Sequence, residues 1–342
     1  MPSSAVRTFT DPVKYFNGIR NLQIIGIIQQ HGKFRAGSTR VDLNRLWMHR
    51  FDEDLPRIMK VTPSRTRAVI VFATGADQPA MQVNGIEISR DQIANIALDW
   101  EWYLRSSAPS EWGTMSLAPE DLRAAGEAIT GRELLPATFA RSLVPPARAL
   151  SRLRELHEAA SHLAKTAPDI LAKSEVARAM EEALVEAMVF CLAEGHYDDV
   201  RSVQRHRARV MQRMEELLIA NPDGPLYMAE LCTHVRTSYW TLRDYCLRYL
   251  GMGPKHYLWL RRMHLARRAL LRANAEAATV TEIASDYGFW EFGRFSVAYR
   301  SLFGESPSTT LRRTPDERRL ETDRFPPRTD PGARCQASGF VF

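Results

Sequence analysis

The chain has 342 residues, 45% of them hydrophobic and 25% charged, and carries a net charge of +6. That length predicts two domains, and that balance predicts folded cores and excludes a fibrous or largely disordered chain. No run of about 18 apolar residues could span a bilayer, and no leader-like start is present, so the expected setting is cytoplasmic with no membrane partner. The four cysteines, Cys191, Cys232, Cys246 and Cys335, form no C-x-x-C pair. Three fall on apolar helical faces and read as buried free thiols.

Residues 1–20 read as irregular and polar. From Leu22 the texture becomes that of short strands: Leu22–Ile28, Ser38–Phe51, Arg57–Val61, Arg67–Thr74 and Met81–Ile88, with one or two more between Gln92 and Ser107. Asn84-Gly85 predicts a tight hairpin, because both residues tolerate positive φ. Short strands without helical crossovers predict an antiparallel barrel or sandwich over residues 1–140. His31 and His49 stand alone, without the clustered ligands that a metal site needs, so no metal and no cofactor are expected. Trp47, Trp100, Trp102 and Tyr103 read as core in preference to ligand contacts.

Leu117–Leu134 reads as a helix, with Pro119 and Glu120 in its first turn. Residues 141–200 then hold two long amphipathic helices. One carries Leu150, Leu153, Leu156, Ala160 and Leu163; the other carries Val176, Met180, Leu184, Ala187, Met188, Cys191 and Leu192. Residues 195–199 read as a linker, and a helix over Val203–Ala220 fills most of 201–225.

The most informative stretch is Val280–Leu311. A short helix, Thr281–Asp286, capped by Thr281, meets Gly288, which supplies a positive-φ turn. A second helix follows with Phe292, Phe295, Tyr299, Leu302 and Phe303 on one face. Glu291, Arg294, Ser296, Val297, Arg300 and Ser301 lie on the other. This is a helix-turn-helix pattern, and it is repeated. At an offset of 53, Leu242 falls on Phe295, Cys246 on Tyr299, Tyr249 on Leu302, Leu250 on Phe303, Gly251 on Gly304 and Pro254 on Pro307. A one-residue change of phase falls in the turn.

In the upstream copy Thr237 or Ser238 caps a helix over Ser238–Leu250, whose outer face carries Tyr239, Trp240, Arg243 and Asp244. A linking helix over Lys255–Arg272, about 27 Å long, approaches one DNA turn of about 34 Å. It carries Arg261, Arg262, Arg267, Arg268 and Arg272, some of them expected on phosphate and the rest solvated. Residues 221–313 hold 13 Lys plus Arg against 8 Asp plus Glu, a basic excess where phosphate neutralisation would require it. The tail, 314–342, is Pro- and Arg-rich and reads as disordered.

Residues 226–313 resemble the DNA-binding domain of the AraC/XylS family of transcription regulators. TSYWTLRDYCLRYLGMGPKHYLWLRRMHLARRALL and VTEIASDYGFWEFGRFSVAYRSLFGESPSTTL carry the likeness. Gly-Phe before the last recognition helix and Phe-Gly-x-x-Pro after it are its most specific marks. The resemblance implies two helix-turn-helix units on double-stranded promoter DNA. It also implies a cupin-like N-terminal domain for a small-molecule effector, a homodimer, and RNA polymerase as a further partner. The helices of 141–200 then serve either dimerisation or packing within the chain. Cys246 departs from the family's aromatic core residue and predicts a looser first subdomain. Asp244 and Val297 depart from its usual basic or polar residues, so no base preference carries over.

The fold class that follows is α+β, an antiparallel β domain with helices ahead of an all-α double helix-turn-helix domain. Arg243 and Arg294 are the leading base-contact candidates, with Ser238, Tyr239, Trp240, Glu291, Ser296 and Val297 beside them. Trp240 fits either sugar and thymine-methyl packing or partial burial at the subdomain edge. Arg236, Arg248 and Arg300 fit phosphate contact. No catalytic residue is expected. The competing readings are a cupin-type enzyme with a helical appendage, which would need a metal constellation, and a fused DNA-repair methyltransferase, which would need a reactive cysteine in a defined motif.

Overall fold

A computed structural model describes residues 2–19, 23–28, 33–62, 66–98, 102–138, 140–197, 202–221 and 226–313. His31, Trp100, Cys335 and the tail lie outside them. Compactness divides the chain into one unit up to Arg262 and another from Met263.

The first unit opens with β1 (Ser3–Phe9) and α1 (Pro12–Asn17). The strands β2 (Gln23–Ile28), β3 (Ala36–Asp42), β4 (Trp47–Glu53), β5 (Arg57–Thr62) and β6 (Ala68–Ala73) follow. After them come β7 (Met81–Val83), β8 (Ile86–Ile88), β9 (Ile93–Ile96), β10 (Trp102–Ser106) and β11 (Ser110–Leu117). Next are α2 (Pro119–Thr130), β12 (Arg141–Val144), α3 (Ala147–Thr166), α4 (Pro168–Leu171), α5 (Ser174–Glu194) and β13 (His196–Tyr197). The unit closes with α6 (Ser202–Ala220), α7 (Met228–Val235), α8 (Tyr239–Leu250) and the start of α9 (Pro254–Arg272). The second unit takes the rest of α9, then α10 (Val280–Asp286), α11 (Phe292–Phe303) and α12 (Pro307–Leu311).

The strands form two antiparallel sheets. The larger runs β1-β3-β4-β11-β6-β9-β12-β13 and the smaller β2-β5-β10-β7-β8. Strand alternation sorts the side chains. On the larger sheet Met48, Ile70, Phe72, Met115 and Leu117 face α2, α3 and α5 and share their core. Phe51, Val71, Ala73 and Trp112 face the smaller sheet, where Met59, Val61, Trp102 and Leu104 meet them. The apolar stripes of α3 and α5 are spent in the first of these cores, which favours packing within the chain for both helices.

Asn84 (φ 51) and Gly85 (φ 71) make the two-residue turn between β7 and β8, as their residue types require. Residues 1–20 are not irregular: β1 pairs with β3 over its whole length, and Asp11 caps α1. Alternation in β1 is weak because it is an edge strand, exposed at Val6. The Ser38–Phe51 run is two strands, not one. Glu181 of α5 accepts the backbone N–H groups of Arg45 (2.7 Å) and Leu46 (3.3 Å), holding a turn open between β3 and β4. β11, β12 and β13 were not legible as strands, the last lying in the residues expected to be a linker.

Two buried charged clusters also escape any local pattern. In the sandwich core Arg57 and Glu53 are fully buried as an ion pair. Ser106 accepts from Arg57 at 2.7 Å, Trp112 Nε1 donates to Glu53 at 3.0 Å, and the Tyr15 hydroxyl donates to the same carboxylate. Burial first, then Glu53, pushes the Tyr15 phenol well above its usual value. On the outer face of the smaller sheet, Lys60 Nζ meets Glu215 of α6 at 2.9 Å, and Tyr257 of α9 donates to Glu215 at 3.1 Å. Tyr103 packs edge-on against Tyr249 of α8, and Arg105 lies against Gly251. The centre of the smaller sheet, at β5 and β10, is therefore covered on both faces.

Candidate nucleic-acid interface

Each helix-turn-helix is shaped by its turn. In the first, Arg236 adopts the left-handed conformation (φ 55). Its N–H bonds to the Thr233 carbonyl, and the Thr237 N–H bonds to that of Cys232. In the second, Gly288 (φ 73) does the same, with bonds from Gly288 to Ser285 and from Phe289 to Ala284. The two pairs of bonds match at an offset of 52, a Schellman motif used twice. The helices after them match at 53: α8 ends on Gly251 (φ 69) and α11 on Gly304 (φ 74). The extra residue lies between Gly288 and the N-cap Glu291, where the sequence showed a change of phase.

The caps are partly as expected. Ser238, not Thr237, caps α8, accepting from the Thr241 N–H at 3.2 Å. Thr281 does not cap α10. Thr279 does, in a capping box with Glu282, because the helix begins one residue earlier, at Val280.

The cores behave as the repeat requires. Leu242, Cys246, Phe295 and Tyr299 are buried. Met214 of α6 packs against the small Cys246, its Sδ 3.9 Å from the thiol. Burial pushes the Cys246 thiol up to about 12, and Cys191 likewise, so neither supplies a thiolate nucleophile.

The opposite faces are open. Trp240 is 71% and Val297 72% exposed; Arg236, Ser238, Arg243, Arg248, Glu291, Arg294 and Arg300 are also exposed, while Tyr239 and Ser296 are half-buried. Partial burial of Trp240 is thereby ruled out. Its ring meets Tyr239 edge-on, and the Arg243 guanidinium lies 5.9 Å from it. Lys255 reaches over Tyr239 at 5.6 Å. Arg248 pairs with Asp244 at 3.0 Å and Arg294 with Glu291 at 2.6 Å. These are exposed pairs that a phosphate or base edge can compete for.

The helix-turn-helix domain family matches residues 231–313. The chain is 43% identical over 105 residues to XylDLEGF operon transcriptional activator 1 of Pseudomonas putida, covering 31% of this chain and 30% of that protein. It is 39% identical over 109 residues to another XylDLEGF operon transcriptional activator of that organism, covering 32% and 33%. This C-terminal region is a DNA-binding domain of the AraC/XylS type. The matches span about a third of the relatives' lengths. Among solved structures, the AraC-like transcriptional activator CuxR aligns over 83% of this chain and 100% of its own, at 14% identity and a TM-score of 0.40.

Within the AraC/XylS-type domain, two linking-helix arginines expected to be free for phosphate or solvated are structural. Arg261 donates to the Leu218 and Asn221 carbonyls at the end of α6. Arg267 pairs with Glu305 at 2.8 Å and lies over Phe303. Burial alone would raise the Glu305 carboxyl, but Arg313, Arg267 and Thr310 hold it below its usual range.

Two surface residues were missed. Lys255 lies just outside the repeat's recognition helix. Trp290, 75% exposed, sits in the lengthened turn, and the shift of offset from 52 to 53 marks that turn in the sequence. No group of His, Cys, Asp and Glu suited to a metal occurs among the described residues, and none of their helices is long and apolar enough to cross a membrane.

Proposed function

We propose that this chain is a sequence-specific regulator of transcription that binds double-stranded promoter DNA through α8 and α11. The observation that carries the reading is the duplicated turn. Two hairpins of matched hydrogen bonding each hold an open, arginine-bearing helix anchored from behind by buried residues, Leu242 and Cys246 in one and Phe295 and Tyr299 in the other. Arg243 and Arg294 read guanine edges by bidentate donation. Arg236, Arg248 and Arg300 take phosphate, fixing register. Ser238, Tyr239, Trp240 and Ser296 pack against the backbone and groove wall, and Glu291 holds Arg294 until DNA replaces it. The Pseudomonas putida relatives are named as operon activators, which supports activation as the outcome. The N-terminal sandwich takes a small-molecule effector, the active form is a homodimer, and RNA polymerase is the downstream partner.

Electrophoretic mobility shift against duplexes selected from a random pool tests this. Arg243→Ala and Arg294→Ala should each weaken the selected site by about 1–3 kcal/mol, roughly 5- to 150-fold, and relax preference at one base pair. Equal binding to unrelated duplexes, unchanged by either substitution, would overturn it.

A further inference from the structure

Val297 is an unusual residue for the open face of a surface helix. It is 72% exposed, and Trp290 (75%) and Phe292 (38%) are exposed near the start of the same helix. Single exposed apolar residues need no explanation, but Val297 stands on the open face of α11, among its cations. Cations flank it: Arg294 lies one turn before Val297, and Arg300 lies one turn after. An apolar protein surface or a lipid core would have to strip water from those charges. A DNA major groove accepts both, because it offers phosphates at its walls and one apolar group on its floor, the thymine 5-methyl.

We propose that the second recognition helix reads thymine by its methyl group. Val297 packs on that methyl, and Trp290 covers the adjoining sugar edge. The counterpart of Val297 in α8 is Asp244, which pairs with Arg248 at 3.0 Å, so the first helix has no aliphatic methyl reader at this position, its exposed Trp240 packing against the groove wall instead. The two half-elements therefore differ in chemistry. The one under α11 holds an A·T pair read through its methyl, and the one under α8 is read through hydrogen bonds. The inference rests on the DNA-reading assignment above.

The test uses the full chain and a duplex it selects from a random pool. Each thymidine is replaced in turn by deoxyuridine, which removes only the methyl. Binding should weaken about fourfold at one or two positions, all in one half-element. Val297→Ser, at an exposed position that leaves the thermal midpoint unchanged, should weaken the thymidine duplex by a similar factor and no longer distinguish deoxyuridine from thymidine. If deoxyuridine is neutral throughout, or if Val297→Ser still senses it, the inference is overturned while DNA reading stands. If no sequence is enriched, the assignment of function and the inference fall together.

Discussion

Arg236 stands where the second hairpin has Gly288, and both are left-handed (φ 55 and φ 73). A residue with a Cβ is strained there by roughly 1–2 kcal/mol, so arginine is retained against a local cost. Phosphate contact supplies a reason. Arg236→Gly should therefore raise stability by up to about 1 kcal/mol while reducing the slope of log affinity against log salt by about one. Gly288→Ala should lower stability by about 1–2 kcal/mol. Urea denaturation and salt-titrated anisotropy measure the two effects. An unchanged salt slope in Arg236→Gly would remove that residue from the phosphate contacts.

At the scale of elements, one buried ion pair joins β5 to α6 and α9. The side chains of Lys60 and Glu215 are each 7% exposed, and Tyr257 adds a hydrogen bond to the same carboxylate. Burial first, then Glu215, pushes the Tyr257 phenol well above its usual value, keeping it a donor. Removing one charge leaves the other desolvated and unpaired, which costs about 3–5 kcal/mol. Lys60→Met should destabilise the first unit by about that much. Lys60→Met with Glu215→Gln, which leaves an acceptor for Tyr257, should recover most of it. A double-mutant cycle in urea gives the coupling; additive losses would mean that the pair contributes nothing beyond packing.

At the scale of the molecule, the helical layer meets the larger sheet at His157. It is fully buried, packs edge-on against Phe72, and its Nε2–H donates to the His49 carbonyl at 3.0 Å. Burial is the main cause that lowers its pKa to about 3, with Arg50 and His49 adding to it. The unfolded chain binds a proton near pH 6.5 and the folded chain does not. Stability from this group is thus complete above about pH 6.5 and lost as the pH falls toward 3, at about 1.4 kcal/mol per unit. The loss should reach about 2 kcal/mol at pH 5. Burial lowers His264 to about 3 as well, so thermal midpoints should fall between pH 7 and 5, and His157→Leu should make that fall shallower, leaving the part due to His264, while lowering stability at pH 7. A wild-type midpoint flat across that range would contradict the neutral, buried histidine.

The sequence by itself determined the twin hairpins, their caps within a residue or two, and the exposed faces of α8 and α11. Those features depend on helical period, glycine turns and N-terminal prolines, all set by neighbours a few residues apart. It also determined the Asn84-Gly85 turn and the antiparallel character of residues 1–140. Only the tertiary structure decided that β1 completes the larger sheet, that Glu53 and Arg57 are buried together, and that Lys60 meets Glu215. It likewise separated the structural Arg261 and Arg267 from the other arginines of α9. Glu53 and Arg57 are four residues apart, but Tyr15, Ser106 and Trp112, which enclose them, are tens of residues away. The other partners are tens to more than a hundred residues away, and a charged side chain carries no local mark of whether water or a distant counter-charge will surround it.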